Sequence, residues 1–296
     1  MKQRTIAKSV EIVGVGLHSG NPVRMRLRPA SEDYGIVFVR DDLGLSIPVT
    51  TDSVVDTRLA TVIGAKGAII STIEHFLSAT IAMGIDNLEV GIDGDEAPIM
   101  DGSAASFCLL FEEAQIVEQT KPKRAIVIVK PIEIQDGNKF VKLMPAKTSE
   151  IQFEIKFDHP AIRNQEYFFH FTKENYIKEI ARARTFGFLK EANYLRSIGK
   201  GLGGSLENAI VLDEKKVLNA EGLRFANEFV RHKILDAIGD MAFLGAPFLG
   251  RYESFAGSHH LNHLLVKTLL ADKEAYKIIE SESEKEFNVE MEKAFA

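Results

Sequence analysis

Apolar and polar residues alternate in short runs through much of each half of the chain, then give way to a helical period. Val23, Met25 and Leu27 alternate with Arg24, Arg26 and Arg28, the pattern of a half-buried strand. With the residues before it this strand predicts a hairpin over 5–28, turning at Ser19-Gly-Asn-Pro22. Short apolar strands are expected at 35–39 and 58–63, a helix over 71–83, a strand over 86–92, and a helix that follows 98–106 and runs to about Ile116. Residues 118–124 are polar, contain a proline and read as a linker. Strands follow at 125–134, 139–144, 150–157 and 165–171, with Asp136-Gly-Asn138 as a hairpin turn. A helix is expected near 173–181, an irregular stretch over 182–218 with a strand at 208–212, a long helix over 220–244 and a last helix over 259–270. The tail, 280–296, is rich in Glu and Lys and reads as a frayed helix or as disordered. Strands first and helices after, in both halves, predict an α+β fold of two similar layered domains, 1–120 and 121–296, each a sheet packed on helices.

The long helix carries His232, Asp236 and Asp240 at four-residue spacing, on one stripe about 80° wide. Phe225, Phe229 and Phe243 share that sector, and Val230, Ile234, Ala237, Ile238 and Met241 cover the other side. A solvated helix would have a wide polar face. A charged stripe on a buried helix has to be paired or bound to a metal. A His and an Asp at this spacing can reach one cation, and a buried His–Asp ion pair fits the same pattern.

Composition narrows the functional classes. A chain of 296 residues has room for two domains. The net charge of −6 gives no support to nucleic-acid binding. The single cysteine, Cys108, forbids an internal disulfide, fits a reducing cytosol and reads as a buried thiol. No signal peptide is visible at the N-terminus, and no uncharged run approaches the ~20 residues that span a bilayer. A cytoplasmic monomer without stable membrane insertion is the expectation. Gly14-Val-Gly-Leu-His-Ser-Gly20 imitates a nucleotide loop, but a strand follows it and not a helix, so His18 reads as a turn residue.

A catalytic zinc needs three protein ligands and an open position. Beside His232 and Asp236, the best third candidate is His75, next to Glu74 near the start of a helix. Glu74 also fits a capping box with Ser71. Asp101 fits either a helix cap or an acceptor for a ligand hydroxyl. His259 and His260, at the start of the last helix, are the other histidines of interest. Two His, an Asp and a nearby Glu are the layout of metal-assisted hydrolysis.

Six segments in order carry a resemblance: Thr72-Ile-Glu-His75, Gly84-Ile-Asp-Asn87, Ile99-Met-Asp-Gly-Ser103, Arg182-Ala-Arg-Thr-Phe-Gly-Phe188, Leu202-Gly-Gly-Ser205, and the run from Phe229 to Asp240. From about residue 3 to 271 the chain resembles the UDP-3-O-acyl-N-acetylglucosamine deacetylases of lipid A synthesis. The resemblance implies a site between the layers, with one zinc ion per chain on His75, His232 and Asp236. It implies Glu74 as general base on the attacking water and His259 as its charged partner. Asp240 would orient His259, Thr185 would hydrogen-bond the oxyanion, and Lys233 would sit in the substrate pocket. The implied substrate is a small nucleotide-sugar lipid precursor. Lys139 and Phe157 would contact its UDP, with Asp101 near. Residues 186–211, within an insert of about 182–218, would hold the acyl chain, with Phe186, Phe188, Leu189, Ala192, Gly201, Gly204, Ser205, Ala209 and Val211 at substrate positions.

The chain departs from the family pattern at two places. Ser258 replaces a glycine, and Ala256 stands where a basic residue is common. Adjacent His260 leaves the choice of catalytic histidine open. Iron or cobalt would also suit the ligand set. Two other readings compete: a zinc amidase acting on another amide, and an inactive binding protein of the same fold.

Overall fold

The computed structural model describes residues 1–281 and 283–295. Its α-helices are α1 (Glu74–Met83), α2 (Ala105–Ala114), α3 (Lys173–Glu179), α4 (Leu189–Ser197), α5 (Glu228–Asp240), α6 (His259–Ala271) and α7 (Glu284–Ala294). The first layer is a five-stranded sheet in the order Val10–Val15, Pro22–Pro29, Leu88–Ile92, Ile36–Arg40, Leu45–Pro48. In Pro22–Pro29 the alternation is realised: Val23, Met25 and Leu27 are buried, while Arg26 and Arg28 reach out to Glu11, Asp41 and Glu89. The second layer is an eight-stranded sheet built around Phe248–Phe255, which pairs with Ile116–Ile128, Lys139–Met144 and Ser149–Lys156. A parallel pair, Phe186–Phe188 with Ile210–Leu212, forms the base of the insert. The fold is α+β, as expected. No helix of the described residues is long and apolar enough to cross a membrane.

Three expectations fail for physical reasons, and the two alternatives for the tail are separated. The expected linker at 118–124 is the middle of strand Ile116–Ile128. Its polar side chains mark a solvent-facing strand, and Pro122 falls where the partner changes from Lys2–Ile6 to Tyr276–Ser281, so the missing N–H leaves little of the ladder unmade. The tail is helical where described, so the helix and not disorder is the alternative met: Phe287, Met291 and Phe295 of the α7 region pack against a small second core of Ala125, Val127, Ile279 and Ala294. The long helix starts at Glu228, not near 220, so Phe225 lies outside it. Finally, Ser71 is not a cap. Helix α1 begins at Glu74, and its N-cap position, Ile73, accepts no side-chain bond. Thr72 sits just ahead at φ +59, a strained conformation for a β-branched residue, held by its hydroxyl bond to buried Glu96.

Helices α1 and α5 pack together between the layers. They can do so because Gly239 has no side chain: a Cβ there would lie 2.1 Å from the Glu74 carbonyl oxygen. The close approach brings the start of α1 against the polar stripe of α5.

Candidate metal centre

His75 is the second residue of α1, and His232 and Asp236 stand one turn apart on α5. All three are buried. Asp236 Oδ1 lies 3.4 Å from His75 Nε2 and 3.3 Å from His232 Nε2, and the three ligand atoms fall within 4.8 Å of one another. Oδ1 makes no hydrogen bond, although it is buried. Ligands about 2.1 Å from a tetrahedral metal stand about 3.4 Å apart along each edge. The two carboxylate–imidazole separations match that edge, and an orphaned carboxylate oxygen between two imidazoles fits a cation. His232 Nδ1 is 3.0 Å from the Ala183 carbonyl oxygen. A carbonyl can only accept, so the proton is on Nδ1 and the Nε2 lone pair faces Asp236. Burial holds His232 neutral, down to a pKa of about 3, despite the pull of Asp236. Burial opposes ionisation of Asp236, but His232 and the Lys233 ammonium, 2.8 Å from Oδ2, keep its carboxyl well below the usual range. Lys233 is thus an ion-pair partner of the cluster, and its ammonium also lies over the Phe186 ring.

A second group borders the first. Glu74 opens α1, and its Oε1 lies 3.7 Å from His259 Nε2. The other ring nitrogen of His259 is 2.8 Å from Asp240 Oδ2. Asp240 also accepts from the Asn262 amide and the Thr61 hydroxyl, so its carboxylate is fully engaged. Burial pushes the Glu74 carboxyl up, against the pull of His259. Burial also opposes a charge on His259, but Asp240 overrides it and lifts the pKa to about 10. His260 is exposed and lies near Thr57. Ser258 caps α6, accepting from the Leu261 N–H, which gives the departure at that position a local reason.

A cavity of about 400 Å³ opens beside the cluster, joined to it through Phe186, whose ring centroid is 6.4 Å from that of His232. Thr185, Phe186, Phe188, Leu189, Ala192, Gly201, Gly204, Ser205, Ala209 and Val211 all line it. Leu17, His18, Leu59 and Leu206 also line it, as do Leu195, Leu218 and the charged Glu191 and Arg196. Phe157 packs on Phe186 and Phe188, with ring centroids 5.9 and 6.0 Å away. Asp101 is no helix cap, because α2 starts at Ala105; it accepts from Ser103 and pairs with Arg224 at 2.7 Å. Lys139 is exposed at the Asp136–Lys139 hairpin. The pairing of Phe140 with Phe255 puts it at the sheet end that leads through 256–258 into α6.

The family model described as UDP-3-O-acyl N-acetylglycosamine deacetylase matches residues 3–271. The chain belongs to this family. It is 60% identical to the UDP-3-O-acyl-N-acetylglucosamine deacetylase of Wolinella succinogenes, over 100% of this chain and 99% of that one. The Nautilia profundicola protein of the same name is 62% identical over 97% of each chain, and the Campylobacter jejuni one 55% identical over 95% and 96%.

Sequence reading of this family member missed Thr61, which binds both Asp240 and, through its backbone N–H, Glu74 Oε2. It sits in a stretch that reads as apolar strand, so no local signal marks it. Asn262 was within reach: it lies three residues after His259 on α6 and faces the same carboxylate.

Proposed function

We propose that the chain hydrolyses the 2-N-acetyl group of a UDP-3-O-(3-hydroxyacyl)-N-acetylglucosamine, a committed step of lipid A biosynthesis, using one zinc ion held by His75, His232 and Asp236. Water adds to the amide carbonyl, the C–N bond breaks, and acetate and the free amine on the glucosamine leave. The observation that carries this reading is the convergence of that ligand set beside the facing Glu74–His259 pair. The bound ion supplies Lewis acidity, polarising the amide carbonyl and lowering the pKa of water.

Glu74 is placed to take the proton from the attacking water. His259, charged and locked by Asp240, faces the same point and donates to the oxyanion or to the leaving nitrogen. Thr185, which lines the cavity next to Phe186, offers its hydroxyl to the same oxyanion. The apolar wall from Phe186 to Val211 takes the acyl chain. Phe157 and Lys139 are assigned to the UDP end, with Asp101 near. The domain boundary is drawn near residue 120, within strand Ile116–Ile128.

Metal analysis combined with a deacetylation assay on the UDP-acyl-sugar tests the reading. One zinc per chain is expected. Glu74→Ala should keep the zinc and lower kcat by ~10²–10⁴-fold. Zinc far below one per chain after gentle purification, or full activity in the variant, overturns it.

A further inference from the structure

Arg184 and Glu228 form an ion pair that none of the roles above uses. They are 2% and 0% exposed, the deepest charged pair among the described residues. Glu228 Oε1 accepts from Arg184 Nε at 2.9 Å and from the Arg184 backbone N–H at 3.0 Å. Its Oε2 accepts from Arg184 Nη2 and from the Arg224 N–H. The rest of the guanidinium is bound by Glu221 and the Gly222 carbonyl. Every part of the pair is satisfied, which is the condition for tolerating buried charge.

Such a pair is poor evidence for stability, because apolar residues of the same volume often serve as well. What distinguishes this one is where it attaches. Glu228 lies in the first turn of α5, four residues before His232 and therefore on the same face. Arg184 lies between Ala183, whose carbonyl takes the His232 Nδ1 proton, and Thr185, which lines the cavity. The Thr185 N–H is in turn bound by the Gly102 carbonyl. At Gly102, φ is +81 and a Cβ would meet the Asn208 carbonyl oxygen at 2.0 Å, so this seat is closely fitted.

We infer that the Arg184–Glu228 pair positions the centre: it clamps 183–185 to the first turn of α5, which sets the tautomer and ring plane of His232 and the place of Thr185. The two residues are positioning residues, since neither touches the ligand atoms of the centre. The inference rests on the reading of His75, His232 and Asp236 as a zinc site. Groups that orient a ligating histidine typically matter 10–100-fold in metal affinity or activity.

The test compares the full-length chain with R184M/E228L, which replaces the pair by apolar residues of similar size, and with R184K, which keeps the charge but loses the fork. Zinc affinity is measured by competition with a chelator, the His232 tautomer by imidazole ¹⁵N shifts of the metal-free chain, and kcat and KM separately. The expected result is a folded R184M/E228L with zinc affinity about 10–100-fold weaker, a mixed His232 tautomer, and a fall in kcat with KM little changed. R184K should lie between it and the parent in all three. Parent-like zinc affinity and a pure Nδ1–H tautomer in either folded variant overturn the inference. If R184M/E228L does not fold, R184K decides by the same readouts. If the parent itself binds no zinc, the functional reading fails; if only the variants match the parent, the clamp alone fails.

Discussion

Asp236 and Asp240 show how two carboxylates on one helix are given different work by their neighbours. Asp236 keeps one oxygen free between two imidazoles, whereas both oxygens of Asp240 are taken by Thr61, Asn262 and His259. The spacing on α5 cannot separate them, because both recur at four residues; the partners from other elements do. Asp101 permits a pH test at this scale. Burial works against its charge, but Ser103 and Arg224 hold its carboxyl below the usual range. A carboxyl lowered in the folded state contributes stability above its unfolded pKa of about 3.9, and that contribution is lost as pH falls through the folded value. The stability gap between the parent and Asp101→Asn, read as urea midpoints, should be constant from about pH 5 to 8 and should close below about pH 4. A gap that persists at lower pH would mean that the side chain's shape, not its charge, is what counts.

At the scale of elements, the α1–α5 contact makes the centre, since each helix supplies only part of it. Gly239→Ala puts a Cβ against the Glu74 backbone. Overpacking of this kind costs about 1–3 kcal/mol, so a lower Tm and weaker zinc binding are expected together; a change in Tm alone would show that the centre tolerates helix separation. The insert makes a separate prediction. Helix α4 buries none of its residues fully, yet Ala192 lines the cavity. Ala192→Trp should fill space meant for acyl carbons. If the ring displaces about four methylenes at ~0.8 kcal/mol each, kcat/KM on the acylated substrate falls roughly 10²-fold while zinc content is unchanged. A full-rate variant would mean that the chain lies elsewhere. The periodicity of α4 does not single out Ala192, because a helix that lines one wall of a groove needs only a narrow apolar face; the family resemblance does.

Over the whole molecule, strand Ile116–Ile128 joins the two ends of the chain within the eight-stranded sheet: it pairs with the first strand, Lys2–Ile6, and with Tyr276–Ser281. The satellite core under α7 packs on the same strand through Ala125 and Val127 and includes none of the metal-ligand candidates. Replacing a fully buried Phe by Ala costs about 3–5 kcal/mol; half-buried Phe287→Ala should cost roughly half that, lowering Tm with activity per folded molecule unchanged. A loss of specific activity would tie the tail to the site. The linker failed because polar composition was read as absence of structure, whereas strand 116–128 is polar because one side faces water; the same reason makes the α7 helix polar. By itself, the sequence determined the strand and helix periods, the burial of a charged stripe on α5, and, through six ordered motifs, the family and its ligand types. These are local properties, written in spacing and residue chemistry. Only the tertiary structure decided that His259 and not His260 faces Glu74, that Lys233 pairs with Asp236, and that Thr61 bonds both Asp240 and Glu74. Those choices depend on contacts between residues far apart in the chain, 179 positions in the Thr61–Asp240 bond. Such contacts are set by packing of α1 on α5 between two sheets, and no local pattern encodes them.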